Sequence, residues 1–272
     1  MYVLRDKRTR LFIILGGFFV ANALIAEFIG VKIFSLEKTF GFKPVNIALF
    51  GQEALSFNLT AGVLLWPVVF VMTDVINEYF GRKGVKLLSY LAVGLISYAF
   101  VMFYFGINLI PADFWPTSHL PVDAPREKLE AVRSQVGDYN AAFRLVFGQG
   151  LWIIIGSLVA FLIGQFVDVT IFHWIKKYTG EQMIWLRATG STLFSQFLDS
   201  FVVLFIAFYI GANWEFSLVL AIGMVNYLYK FIMAIVLTPL IYLAHWIIDA
   251  YLGPGMAEEM KYTAAQASRN QT

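Results

Sequence analysis

Asp74, Asn77 and Glu78 stand at i, i+3 and i+4, a spacing that puts two carboxylates and an amide on one face of a helix. The stretch that holds them, Leu59 to Tyr79, is otherwise apolar enough to cross lipid. A charge at the bilayer centre costs at least about 2.5 kcal/mol on insertion scales, so each such residue must face protein or water. Three more apolar stretches carry the same kind of side chain. Gln165 and Asp168 share one helix face, Ser191, Thr192, Ser195, Gln196 and Asp199 follow in the next stretch, and Asn226 and Lys230 lie one turn apart in the last. Asp199 and Lys230 fall at similar depths, so an ion pair between them is geometrically allowed. One neutralising pair would account for those two residues, and a reach of Asp74 and Glu78 toward Arg82 and Lys83 at the interface would account for two more. Neither reading explains why four stretches present amides, hydroxyls and carboxylates at overlapping depths. A water-accessible polar cavity does. Asn22, Glu27 and Lys32 of the first apolar stretch are further candidates to line it.

The elements that must position these residues follow from composition. Of 272 residues, 59% are hydrophobic and 14% charged, against roughly 25% charged in a soluble globule. The chain cannot cover a water-facing surface and reads as an all-α, polytopic membrane protein. Windows of about 20 apolar residues give a bundle of six transmembrane helices: Leu11 to Phe34, Leu59 to Tyr79, Lys86 to Leu109, Gly148 to Ile175, Arg187 to Ile210 and Phe216 to Leu240. Arg8 and Arg10 precede an apolar run that reaches Ala21-Asn22-Ala23, as in a signal peptide, but the run continues to Phe34 and has the length of a span. Short connectors such as Gly81-Arg82-Lys83-Gly84, Tyr178-Thr179-Gly180-Glu181 and Gly211-Ala212-Asn213 are natural helix stops.

Basic residues divide unevenly. Arg5, Lys7, Arg8, Arg10, Arg82, Lys83, Lys86, Lys176, Lys177, Arg187, Lys261 and Arg269 lie on the side of the N-terminus, and Lys38, Lys43, Arg126, Lys128, Arg133 and Arg144 on the other. The positive-inside rule places both termini in the cytoplasm. Of the two long outer connectors, Ser35 to Asn58 contains apolar stretches able to fold back as a lid. Pro111 to Phe147 places Leu129, Val132, Val136, Tyr139 and Phe143 at helical spacing after Asp123 and Pro125, which predicts one amphipathic surface helix. Residues 1–250 read as a single transmembrane domain with 111–147 as its outer amphipathic connector, and 251–272 as a polar C-terminal tail, disordered from Met256. Gly156, Ala160 and Gly164 at four-residue spacing suit close helix approach, Pro67 and Pro239 suit bends, and His173 and His245 read as interfacial.

Catalytic signatures are missing: the sequence has no H-E-x-x-H, G-x-S-x-G or nucleotide-binding loop, its three histidines are scattered, and it has no cysteine. An enzyme is disfavoured, and no cofactor, metal or nucleic acid is expected.

The polar stripes resemble a known family. Thr73-Asp74-Val75-Ile76-Asn77-Glu78-Tyr79-Phe80-Gly81, after Ala61-Gly62-Val63 and Trp66-Pro67, is similar to the signature of the queuosine precursor transporter family, grouped also with vitamin uptake transporters. Gly164-Gln165-Phe166-Val167-Asp168-Val169 with Phe172, the run Ala188 to Ser200 ending in Phe205-Ile206-Ala207-Phe208, and Tyr229-Lys230-Phe231 resemble its later motifs. The connector from Pro111 to Phe147 is longer than in compact members. The resemblance implies an inner-membrane transporter that imports 7-deazaguanine precursors of queuosine, 7-cyano-7-deazaguanine or 7-aminomethyl-7-deazaguanine, by alternating access. It implies substrate-contacting carboxylates at Asp74, Asp168 and Asp199, Lys230 as counterion and Arg187 at the cytoplasmic gate. Asn77, Glu78, Gln165, Ser191, Gln196 and Asn226 complete the expected site. Asp74 and Glu78 are spaced so that two carboxylates could share a proton, and a facilitator is the other option. The expected partners are the base and the lipid bilayer, with monomer and homodimer both open. Two other classes compete: a substrate-binding subunit for a vitamin or nucleobase that needs a separate ATPase module, and a membrane enzyme or scaffold acting on lipid through the outer amphipathic helix.

Overall fold

The fold is seen in a computed structural model that describes residues 6–180 and 183–269. Arg5 and Glu181, counted above, lie outside the described residues. Five helices among the described residues are long and apolar enough to cross a membrane. They are α1 (Lys7–Ile29), α3 (Trp66–Ile107), α6 (Leu151–Thr179), α7 (Ile184–Leu204, extended by a π-helical stretch Phe205–Ile210) and α8 (Phe216–Leu252). The first span therefore stops at Ile29, where Gly30 closes the helix through its N–H to Ala26 O, and Lys32 falls outside it as an exposed side chain.

The second and third predicted spans are joined in α3, which breaks at Gly81 (φ 67°, ψ −174°). Thr73 and Ser89 stand eight residues before and after that break, and both hydroxyls point to Gln165 Oε1, at 2.9 and 3.5 Å. Two residues equidistant from a break can meet one side chain only if the helix turns back on itself. The Gly-Arg-Lys-Gly stop is thus a single-residue reversal, possible because glycine alone adopts this conformation without strain. Pro67 does not bend a helix: it sits in the first turn of α3, where its missing N–H costs nothing.

The chain forms two compact units. The larger, residues 1–94 and 151–272, holds α1, the first part of α3, α6, α7, α8 and α9 (Pro254–Arg269). Gly156 lets α6 approach α7 closely, since a Cβ there would lie 3.1 Å from Val203 O, and Ala160 is fully buried. α9 corrects the expectation of a disordered tail. Its Ala257 and Met260 pack with Leu11, Val75, Tyr79, Ile248 and Leu252, and Lys261 donates to Asp249 Oδ2 at 2.8 Å. Ala257, Met260 and Ala264, at i, i+3 and i+7 inside a polar stretch, supply the face that composition alone hides.

Between α1 and α3 the lid-like connector contains two small antiparallel two-stranded sheets and a helical turn, α2 (Leu36–Thr39). β1 (Ile33–Ser35) pairs with β4 (Asn58–Thr60) in the register Phe34 to Leu59. β2 (Ile47–Leu49) pairs with β3 (Gln52–Leu55) across Phe50-Gly51, both at positive φ as a tight hairpin turn demands. Glu37 is buried among them and accepts from Phe57 N–H at 2.9 Å and Ser35 Oγ at 3.2 Å. Burial pushes its carboxyl up, and these hydrogen bonds, Phe57 first, more than offset that and hold it below the usual value.

The smaller unit, 95–150, contains two helices where one was expected: α4 (Arg126–Val136) and α5 (Tyr139–Phe147). Gly137 at φ 73° breaks the run, and Asp138 caps α5 by accepting from Ala141 N–H at 2.9 Å. Within this unit Trp115 packs on Tyr139 and Phe143.

Candidate functional site

The polar residues of α3, α6, α7 and α8 meet inside the larger unit in successive layers. One anchor is Glu78, 1% exposed, whose Oε1 accepts from Lys176 Nζ of α6 at 3.0 Å and from Arg187 Nη2 of α7 at 2.8 Å. Arg187 is fully buried, donates through Nη1 to Gly180 O at 2.7 Å and lies over the Phe172 ring. Glu78 thus turns away from Arg82 and Lys83. Lys176 looked like a plain cytoplasmic charge, although its spacing after Asp168 and Phe172, two steps of four, puts it on the same buried face. Beside this lock Asn77 Oδ1 bonds His173 Nε2 at 2.9 Å, and Tyr79 OH bonds His245 Nδ1 at 3.1 Å and donates to Asp249 Oδ1 at 2.7 Å. His245 is buried rather than interfacial. The Tyr79, His245 and Asp249 cluster escaped the sequence reading because Asp249 lies beyond the predicted end of the last span.

One turn before Glu78, Asp74 faces Asp168 of α6. Thr192 Oγ1 lies 3.3 Å from Asp74 Oδ2 and 3.4 Å from Asp168 Oδ1, and Ser195 Oγ donates to the same Asp168 oxygen at 3.2 Å. Ser191, fully buried, donates to Ala188 O at 3.1 Å on the same side of α7. Gln165 is held by Thr73 and Ser89 and leaves its Nε2 without an acceptor among the described residues.

The next layer contains Gln196, 2% exposed, with neither amide atom bonded to any described residue. It lines a narrow cavity with Pro67, Thr189, Thr192 and Lys230. That cavity holds about 10 Å³, the space of roughly one water molecule. A flat bicyclic base needs far more, so the helices are closed around this point. Lys230 pairs with Asp199, as the sequence allowed. Asn226 is half-buried and does not line that cavity. Of the α1 candidates, Glu27 bonds Ser157 of α6, and Asn22 donates to Phe18 O of its own helix at 2.8 Å. No described group of three or more His, Cys, Asp or Glu has the arrangement of a metal site.

What the arrangement can do chemically is accept N–H donors at carboxylates and read a carbonyl or ring nitrogen with an amide. Comparison with known proteins agrees with a carrier. A family model described as "Putative vitamin uptake transporter" matches residues 60–244. The chain is 30% identical over 204 residues to the probable queuosine precursor transporter of Bacillus subtilis (strain 168), a match covering 73% of this chain and 75% of that protein. It is 24% identical over 196 residues to the probable queuosine precursor transporter of Haemophilus influenzae, covering 70% and 69%. It is also 24% identical over 192 residues to the queuosine precursor transporter of Escherichia coli (strain K12), covering 67% and 70%. No solved structure matches the chain. The family match spans the helices that carry every residue of the polar layers except those near the two ends, and on that ground the protein belongs to the vitamin uptake transporter family and is a multi-pass membrane transporter, not an enzyme.

Proposed function

We propose that the protein imports a 7-deazaguanine precursor of queuosine, the 7-cyano or 7-aminomethyl form, across the bacterial inner membrane by alternating access. Six spans carry it, α3 counting twice through its reversal at Gly81, with both termini cytoplasmic. The observation that carries this reading is that Asp74, Asp168, Gln165 and Gln196, from three helices, lie buried in two adjoining layers joined at Thr192, with bonding positions left over on each. A guanine-like base offers adjacent N–H groups to a carboxylate, and its carbonyl and ring nitrogens to amides. Buried carboxylates also suit the aminomethyl cation. The names of the three relatives support this class of substrate.

The described arrangement stands for the closed state between two access states. Opening toward the cytoplasm would separate the Glu78, Lys176 and Arg187 lock, and opening outward would part α7 and α8 at Gln196 and Lys230. Labelled base supplied to proteoliposomes that contain the purified chain alone tests the proposal. Entry without a partner is the expected result. Entry only when an ATPase module is added would favour the binding-subunit reading. Replacing Asp199 with Asn is expected to abolish entry while the protein stays inserted and folded, and wild-type entry by that variant would remove Asp199 from the site.

A further inference from the structure

We propose that Asp74 and Asp168 hold one transferable proton between them and that this proton travels inward with the substrate, an inference that rests on the transport reading above. The two carboxyl groups come from different helices, are 1% and 0% exposed, and lie within hydrogen-bonding reach of each other. An ionised carboxylate only accepts. The single Thr192 hydroxyl proton serves one of them at a time, and the Ser191 and Ser195 hydroxyls beside Asp168 are shared with Ala188 O at 3.1 Å and Thr192 O at 3.0 Å. Asp74 Oδ1 and Asp168 Oδ2 receive no donor from the described residues. No described cation pairs with either acid: Lys176 and Arg187 are bonded to Glu78, and Lys230 to Asp199. Of the other titratable and charged groups, Glu78 on the same helix acts directly on Asp74, His173 of α6 is bonded to Asn77, and Lys230 of α8, paired with Asp199 of α7, lines the narrow cavity together with Thr192. Glu27 on α1 interacts with Asp199. Two facing, buried carboxylates without a counterion repel each other, and one proton placed between them turns the repulsion into a hydrogen bond.

The singly protonated pair has a useful chemical form. One acid presents an O–H donor and the other an acceptor, side by side, which matches the adjacent carbonyl and N–H of a guanine-like edge. When the inner side opens, the acid O–H bond breaks, water takes the proton, and both oxygens become acceptors. The donor to the substrate carbonyl is gone, and the base leaves. Protonation from the outer side restores the pair.

Proteoliposomes with an internal pH dye and labelled base test the coupling. With the outside acidic, the base is expected to accumulate above its external concentration, to acidify the lumen as it enters, and to lose the accumulation when a protonophore is added. Gradient-insensitive equilibration with no acidification would overturn the coupling and leave the transport reading standing. No entry under any gradient would overturn both. The shared proton is read separately, without substrate, by infrared spectroscopy: the folded wild type is expected to show a deuterium-sensitive carboxylic-acid carbonyl band at neutral pH that disappears in both Asp74→Asn and Asp168→Asn. Persistence of the full band in both variants, or its absence from the wild type, would refute the shared proton.

Discussion

Arg187 donates to Glu78 Oε1 at 2.8 Å with both side chains sealed inside the bundle. Burying two charges is expensive, and the attraction between them repays the cost only while both are present. Glu78→Gln would leave Arg187 and Lys176 facing a neutral amide. It is expected to lower stability by about 3 to 5 kcal/mol, the usual penalty for breaking a buried pair. Adding Arg187→Met is expected to recover part of this loss, which thermal unfolding in detergent measures. Equal stability of Glu78→Gln and wild type would mean that the lock contributes nothing to the closed state.

Gly81 is the pivot of the α3 reversal, at φ 67° and ψ −174°. Gly81→Ala places a Cβ in a backbone region that costs of order 1 to 3 kcal/mol for other residues. The nearest atoms, Ala264 O at 3.4 Å among them, leave ordinary room, so backbone strain and not a clash sets the loss. Gly94→Ala is the control. A Cβ there meets nothing within 4 Å in a regular helix, and that change is expected to raise stability by roughly 0.5 to 1 kcal/mol. Unfolding midpoints of the two variants should therefore move in opposite directions.

Much of this was legible in the chain itself. Intramembrane Asp74, Gln165, Asp168 and Gln196 stand out because lipid allows few polar residues and punishes each one, so their spacing reports a shared interior. The Asp199 and Lys230 pair could be anticipated from depth alone. What could not be read was partner choice: Glu78 has cations both in the next turn and across the bundle, and only packing selects Lys176 and Arg187. Asp74 likewise had two acids within reach of a proton, one on its own helix and Asp168 on another. α9 was missed because its apolar face is diluted among polar residues, and the small sheets between α1 and α3 because strands of three or four residues carry almost no periodicity.

Glu37 makes the connector between α1 and α3 sensitive to acid. Its carboxyl is held below the usual value by donors that include Phe57 N–H, so the folded connector binds its proton less readily than the unfolded one. The stabilisation is present above the ordinary carboxylate pKa and is lost as pH falls through the depressed one. The protection of the Phe57 N–H against hydrogen exchange, relative to its intrinsic rate at each pH, is expected to fall on acidification. In Glu37→Gln that extra pH dependence should disappear.

Gln196 separates a functional reading of the polar layer from a purely architectural one. A buried amide with neither atom bonded costs about 1 to 3 kcal/mol in lost solvation. If the residue only filled space, evolution toward stability would favour an apolar side chain of similar size. Gln196→Leu is expected to keep or raise the unfolding temperature, by removing that cost, and to reduce uptake of the base by at least about tenfold, the equivalent of one good hydrogen bond to the substrate at 1.4 kcal/mol per decade. Parallel measurement of thermal stability and proteoliposome uptake decides the matter. A variant that is both more stable and fully active would show that Gln196 does not touch the transported molecule.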